Sequence, residues 1–313
     1  MLHWMVSAPQ YDGRFLGRYS QEWILVGTSQ STWDRMGYDP GSDNGAQQWR
    51  DVYWSLGQNL VDMMTKAEAE QRWDLLGVGY ILKAWGWQVT TDLHGEIIIK
   101  EAIDASRFAF NYDTQEYAYQ EIQRLLGKAI ELLQKTDGAV DATYLGRTDR
   151  IYLGDRTKWL KLAYGMLALN LNHFSNKATY KPADVIANVD KSFVSNADDP
   201  LLTYQGTQND DRNFLGNTRN NLTSYRQTQF VVGLMNGTQF FNGVVDPRMS
   251  RMLSPSPDGQ YRGLDINIVG VGALTTAQQP MNFYGYATLP ATGSPSRYIF
   301  DDKTRMPFMT YAQ

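Results

Sequence analysis

The stretch Asp149-Arg150-Ile151-Tyr152-Leu153-Gly154-Asp155-Arg156-Thr157-Lys158-Trp159-Leu160-Lys161-Leu162-Ala163 runs from a glycine-broken turn into an apolar stripe. The stripe continues through Met166, Leu167 and Phe174, at the three-to-four-residue spacing of an amphipathic helix, and predicts a helix over about 156–174. Working upstream, Ala118, Ile122, Leu125, Ala129, Leu132 and Leu133 mark a helix over about 114–135, with Gly138 as its stop signal. A further helix spans about 68–88, on the stripe Trp73, Leu76, Tyr80, Ala84 and Trp87. Its Gly77 and Gly79 read as points of close helix contact rather than breaks, since each costs about 1 kcal/mol of propensity. Before it, Trp49, Val52, Tyr53, Leu56, Leu60, Met63 and Met64 predict a helix over 44–66, capped by Asp43 or Asn44. Downstream, Pro182 opens a fifth helix carrying Val185, Ile186, Val189 and Phe193.

Beyond 195 the texture changes. Residues 196–223 are rich in Asn, Asp, Gln, Thr and Gly and read as a long polar loop. A helix is expected over 224–235, and strand-like pieces at 265–269 and 297–300. The division is therefore 1–43 as an irregular N-terminal segment, 44–195 as a helical-hairpin scaffold and 196–313 as a loop-rich region, all in one domain. Persistent aromatics in the last part argue for packed loops over disorder.

The 313 residues carry 29 Lys+Arg against 33 Asp+Glu, a net charge of −4. That balance has no basic stripe and argues against nucleic-acid binding, which rests on phosphate neutralisation. With no cysteine, thiolate zinc sites, Fe–S clusters and thiol nucleophiles are excluded. No apolar run approaches the roughly 20 residues of a membrane span. His94 and His173 have no partner spacing for zinc or a triad. No cofactor motif is present. Asp198-Asp199 and Asp210-Asp211 offer the clustered oxygens a structural calcium favours, without an EF-hand pattern. Asp92 and Glu96, or the same loop aspartates, are the nominees for a glycosidase pair.

Six segments, in order, resemble the SusD/RagB family of nutrient-binding outer-membrane lipoproteins of Bacteroidota-type bacteria. They are Trp49-Arg50-Asp51-Val52-Tyr53 with Asn59, then Ala84 to Trp87 leading into Asp92-Leu93-His94-Gly95-Glu96-Ile97. Next come Tyr112-Asp113-Thr114-Gln115-Glu116 with Lys128 to Leu133, and the 149–163 stretch. Val245-Asp246-Pro247-Arg248 and the closing Met309-Thr310-Tyr311-Ala312-Gln313 complete the set. Ile98 stands where the family has proline.

The resemblance implies a mainly α fold of tetratricopeptide-like helical hairpins, with a long irregular loop layer and few short strands. It implies non-catalytic capture of an oligosaccharide, or in a close alternative a peptide, at the extracellular face of the outer membrane. The partner would be a SusC-like TonB-dependent transporter. Family members are longer and lipidated, so the resemblance also predicts that a lipid anchor and a last helix pair lie outside this sequence. A secreted glycosidase and a helical-repeat interaction scaffold are the alternatives from other classes.

Eight of nine tryptophans fall within the first 87 residues. Those on helix stripes, Trp49, Trp73, Trp85, Trp87 and Trp159, together with Tyr53, are assigned to packing. The candidates left for ring stacking lie off the helices: Trp23, Trp33 and Tyr38 with Asp34 and Asp39 nearby, Arg219 and Asn220 with Tyr225, and Tyr284 with Tyr286. An aromatic face can cover the C–H face of a sugar while Asp, Asn or Arg bonds its hydroxyls.

Overall fold

In the computed structural model the described residues are 1–41, 46–285 and 301–313. The chain opens with an 18-residue helix, α1 (Leu2–Tyr19), where an irregular segment is expected, and then β1 (Trp23–Leu25). Pro9, Gly13 and Gly17 depress helix propensity in α1 and hide it from local reading. Tertiary burial of Met5, Ala8, Phe15 and Arg18 overrides that deficit. The proposed caps Asp43 and Asn44 lie outside the described residues.

The main helical run follows the sequence periodicity. It starts with α2 (Gln47–Arg50), passes through a π-helical turn at Asp51–Leu56 and continues as α3 (Gly57–Ala69). Next come α4 (Trp73–His94), α5 (Gln115–Gln134), α6 (Ala142–Gly146), α7 (Arg156–Asn172) and α8 (Pro182–Val189). Short pieces complete the chain: β2 (Leu201–Leu202), β3 (Tyr225–Gln227), α9 (Gln229–Met235), α10 (Met249–Met252) and β4 (Met306–Pro307). The fold is mainly helical with few short strands.

Two compact units result. The first comprises Met1–Val6, Gln48–Thr203 and Met306–Gln313; the second comprises Ser7–Gln47 and Tyr204–Arg305. In the first, α3 packs on α4, α4 on α5, α5 on α7 and α7 on α8. Gly77 and Gly79 are contact points, as expected: a Cβ on Gly77 would lie 2.8 Å from Leu133 of α5, and one on Gly79 2.7 Å from Met64 of α3. The core between them holds Leu76, Ile81, Ile122, Leu125, Leu126 and Trp159. The C-terminal strand β4 pairs antiparallel with β2, Leu201 opposite Pro307.

The 149–163 stretch is organised by one buried carboxylate. Asp149 Oδ1 accepts from the amides of Ile151 (2.9 Å) and Tyr152 (3.0 Å). Its Oδ2 accepts from the Gly154 amide (2.9 Å) and from Trp159 Nε1 (2.8 Å). The turn is thereby tied to the first turn of α7, whose start Asp155 caps by accepting from the amides of Thr157 and Lys158.

In the second unit, β1 pairs antiparallel with β3, Trp23 opposite Gln227. The helix expected over 224–235 therefore begins five residues late: Tyr225–Gln227 is strand, and Thr228 caps α9 by accepting from the Val231 amide. That strand forms because a partner 200 residues away supplies its ladder, which no local pattern announces. Residues 265–269 are turns, not strand; only Leu264 bridges, to Thr228. The expected piece at 297–300 lies outside the described residues. Among the apolar residues predicted for α8, only Phe193, beyond its end, is buried, while Ile186 and Val189 are exposed.

Candidate ligand-binding site

The first unit presents an open cleft of about 480 Å³ where the sequence reading expects packing. Trp49 and Tyr53, one turn apart across the α2–π junction, place their rings 4.7 Å apart at 41°. Tyr53 OH donates to the Ile98 carbonyl (2.6 Å) and accepts from the Ile98 amide (3.0 Å), which ties the segment after α4 to this helix. Trp49 meets His94 edge-on at 5.1 Å and stacks with Tyr112 at 6.0 Å and 29°. Neither aromatic is fully buried, and both line the cleft with Phe110, Gln58, Asp104 and Arg107. The other stripe assignments divide: Trp85, Trp87 and Trp159 are buried, and Trp73 is half-buried.

The loop that completes the cleft is held by its own polar groups. Asp104 accepts from the Ser106 amide (3.0 Å) and pairs with Arg107 (3.1 Å), which also pairs with Glu101 (3.0 Å). Glu101 accepts from the amide (2.8 Å) and side chain (3.0 Å) of Asn111. Asp113 accepts from the amides of Ile99 and Lys100 and closes the loop. The same loop carries three exposed aromatics at every second position: Phe108 (99% exposed), Phe110 (38%) and Tyr112 (59%). Exposed aromatics gathered beside a cleft are candidates for ligand contact.

Asn111 hydrogen bonds hold the Glu101 carboxyl below the ordinary range, and Ser106 does the same for Asp104. Both are therefore anionic acceptors at neutral pH. A hydrolytic general acid needs the opposite, a carboxyl whose pKa is raised. The arrangement suits hydrogen bonding to hydroxyls under an aromatic face.

The residues singled out from sequence are mostly elsewhere and mostly covered. In the second unit Trp33 is buried, with Phe15 at 5.2 Å and Tyr19 at 5.5 Å against it, so no ring can lie flat on it. Asp34 is bound in a buried ion pair with Arg18 (2.6 Å). Tyr38 touches Trp33 only by its edge at 6.1 Å and is 71% exposed, with Asp39 exposed beside it. Tyr225 and Tyr284 are core residues of one apolar cluster, against which Trp23 packs. Tyr284 OH donates to the Gly216 carbonyl (3.2 Å), and burial pushes it up to about 12. Arg219 donates to the Asn209 carbonyl (2.9 Å) and lies over Phe214 at 5.1 Å. Asn220 is a left-handed turn residue (φ 60°) that accepts from Thr223. Tyr286 lies outside the described residues. The structure thus joins Trp33 with Tyr38, and Trp23 with Tyr225 and Tyr284, as packing groups rather than as a platform. Tyr38 and Asp39 remain open.

His173 is not isolated: its Nε2 lies 3.3 Å from Asp92, which also accepts from Tyr119 OH (2.8 Å). This contact crosses 81 residues of sequence, beyond any motif spacing. Asp198 is tied to Lys161 (2.9 Å) and Asp199 accepts from the Tyr311 amide (2.6 Å), while Asp211 accepts from the Gln205 amide (3.1 Å). Among the described residues no group of three acidic or histidine side chains is gathered around a metal-sized point. No helix among them is long and apolar enough to cross a membrane.

The family described as starch-binding proteins associating with the outer membrane, of SusD-like type, matches residues 9–313. A SusD homolog from Bacteroides fragilis has a similar fold, with a TM-score of 0.68 at 18% identity over 99% of this chain and 66% of its own. A SusD/RagB family protein from Bacteroides thetaiotaomicron gives 0.66 at 19% identity over 99% and 64%. A structure titled a chitin-binding protein gives 0.62 at 20% identity over 86% and 59%. The chain thus spans about three fifths to two thirds of the length of these solved relatives. No curated protein sequence matches it.

Proposed function

The chain belongs to the SusD-like family of outer-membrane-associated binding proteins, and on that premise we propose that it captures oligosaccharide at the bacterial surface without catalysis and delivers it to a TonB-dependent transporter of the SusC type. Its attachment to the membrane would be through a lipid anchor. The observation that carries the glycan reading is the cleft at Trp49, Tyr53 and Phe110, where aromatic faces stand beside Gln58, Asp104 and Arg107. A pyranose presents both chemistries, C–H faces for rings and hydroxyls for anionic and amide acceptors. The chitin-binding relative is consistent with that cargo class. Tyr38 and Asp39, exposed in the second unit, are a second contact surface in this reading.

Affinity electrophoresis against a glycan panel tests it with wild type, Phe110→Ala and Tyr38→Ala. Losing one stacking ring at about 1 kcal/mol weakens retention roughly fivefold in Phe110→Ala. Retention of oligopeptides with no glycan bound would overturn the cargo assignment.

A further inference from the structure

The second unit holds a cavity of about 420 Å³ that the glycan reading does not use. Its volume falls within the range of small-molecule sites. Its wall is apolar: Trp23 and Phe283 meet edge-to-face at 5.6 Å on one side, and Met235 and Leu253 of a second apolar cluster line another. The polar side chains along it are few: Gln10, Arg14, Glu22 and Gln227, the last of which is already spent on the carbonyls of Ser254 and Arg262 and the Ser254 amide.

One cation interrupts that wall. The half-buried Arg14 guanidinium lies over the rings of Tyr11 (4.5 Å) and Phe214 (4.9 Å). Among the described residues its nitrogens reach two carbonyl oxygens, of Tyr11 and Asn221, each at 3.4 Å. Among the described residues no carboxylate comes within 4.0 Å of it, although Glu22 also lines the cavity at an exposed position where water screens it. A partly desolvated guanidinium without an acidic partner is a preformed seat for a carboxylate, which it can meet with two parallel hydrogen bonds.

The helix beside it is shaped to the cavity. Gly13, the neighbour of Arg14 on α1, also lines it, and a Cβ built there meets nothing within 4 Å. A mid-helix glycine costs stability that alanine would recover, so the open space is not forced by packing.

We propose that this cavity binds a small apolar carboxylate, its body among Trp23, Phe283 and Met235 and its carboxylate on Arg14. Two sources share that chemistry: a medium-chain fatty acid and the hydrophobic C-terminus of a short peptide.

The test is calorimetric titration of the full chain with decanoate, with N-acetyl-leucyl-phenylalanine, and with the primary amide of each. At least one acid binds wild type, and at least tenfold more tightly than its amide. Arg14→Gln brings that acid down to the affinity of the amide. Gly13→Leu projects its side chain into the cavity beside Arg14, weakens binding of both at least tenfold, and melts no lower than wild type, which separates blocking from unfolding. Decanoate binding alone assigns the site to fatty acids, and binding of the peptide acid alone assigns it to chain termini. Equal binding of acid and amide, unchanged binding in Gly13→Leu, or binding of neither acid overturns the proposal. Glycan retention by Gly13→Leu stays at the wild-type level, because neither the glycan cleft at Trp49, Tyr53 and Phe110 nor the exposed Tyr38 and Asp39 line this cavity.

Discussion

Replacing Asp149 by Asn tests the anchor of the 149–163 stretch. The native carboxylate is 5% exposed and accepts four hydrogen bonds, two on each oxygen. An amide of the same shape keeps Oδ1, and with it the Ile151 and Tyr152 amides. Its NH₂ then points at two donors, the Gly154 amide and Trp159 Nε1, previously at 2.9 and 2.8 Å. Each buried bond to a charged group is worth about 1.5–3 kcal/mol, so two broken bonds amount to about 3–6 kcal/mol, somewhat less as the turn relaxes. In a chain of 313 residues, whose unfolding entropy is about 0.65 kcal/mol/K, that lowers Tm by about 5–9 °C. Urea denaturation followed by far-UV circular dichroism reads the change as a shift in midpoint at unchanged slope. Trp159→Phe removes one of the four bonds and costs less. The double variant costs less than the sum of the two, because both act on one contact. If Asp149→Asn unfolds within about 0.5 kcal/mol of wild type, the carboxylate does not hold the turn against α7.

The other predictions are shorter. Asp51 is fully buried, and desolvation raises its carboxyl from 3.8 to about 6, opposed by Ser55 and the N-terminal amine. A carboxyl with a raised folded pKa favours the fold below about pH 4 and weakens it as pH climbs through about 6, a swing of about 3 kcal/mol. Asp51→Asn therefore raises the Tm at pH 7 but not at pH 4, and an equal effect at both pH values would reject the desolvation argument. Asp34→Ala leaves Arg18 buried and unpaired and costs about 3–5 kcal/mol in chemical denaturation; an unchanged midpoint would show that the pair is dispensable. Tyr38→Ala, at an exposed ring, leaves the melting curve within about 0.5 kcal/mol of wild type, so any loss of glycan retention in it reports on binding alone.

Helix positions were legible because they rest on local chemistry: side chains three and four apart share a face, so the stripes at Ala118–Leu133 and Trp159–Met166 name α5 and α7 before any contact is known. The family resemblance worked at the same level, through short segments in a fixed order. A stripe reports which face is apolar, however, and not what covers it. Trp49 and Tyr53 lie on a stripe and yet border an open cleft, because the loop that returns to them presents Phe110 across a gap. The signal for that loop was present in the alternation of Phe108, Phe110 and Tyr112, a period of two that places rings on one side of an extended segment.

Only the tertiary structure decided which off-helix aromatics are free. Trp33 and Tyr284 are covered by groups from distant segments, Phe15 of α1 and the residue 214–222 region. β3 exists because β1 pairs with it across 200 residues, and His173 meets Asp92 for the same kind of reason. Sequence by itself determined helices α3, α4, α5, α7 and α8, though not α1, the exclusions that follow from zero cysteine, and the family. Burial, partner choice and cavities came from packing between remote parts of the chain, since each depends on what lies opposite a residue in space rather than beside it in sequence.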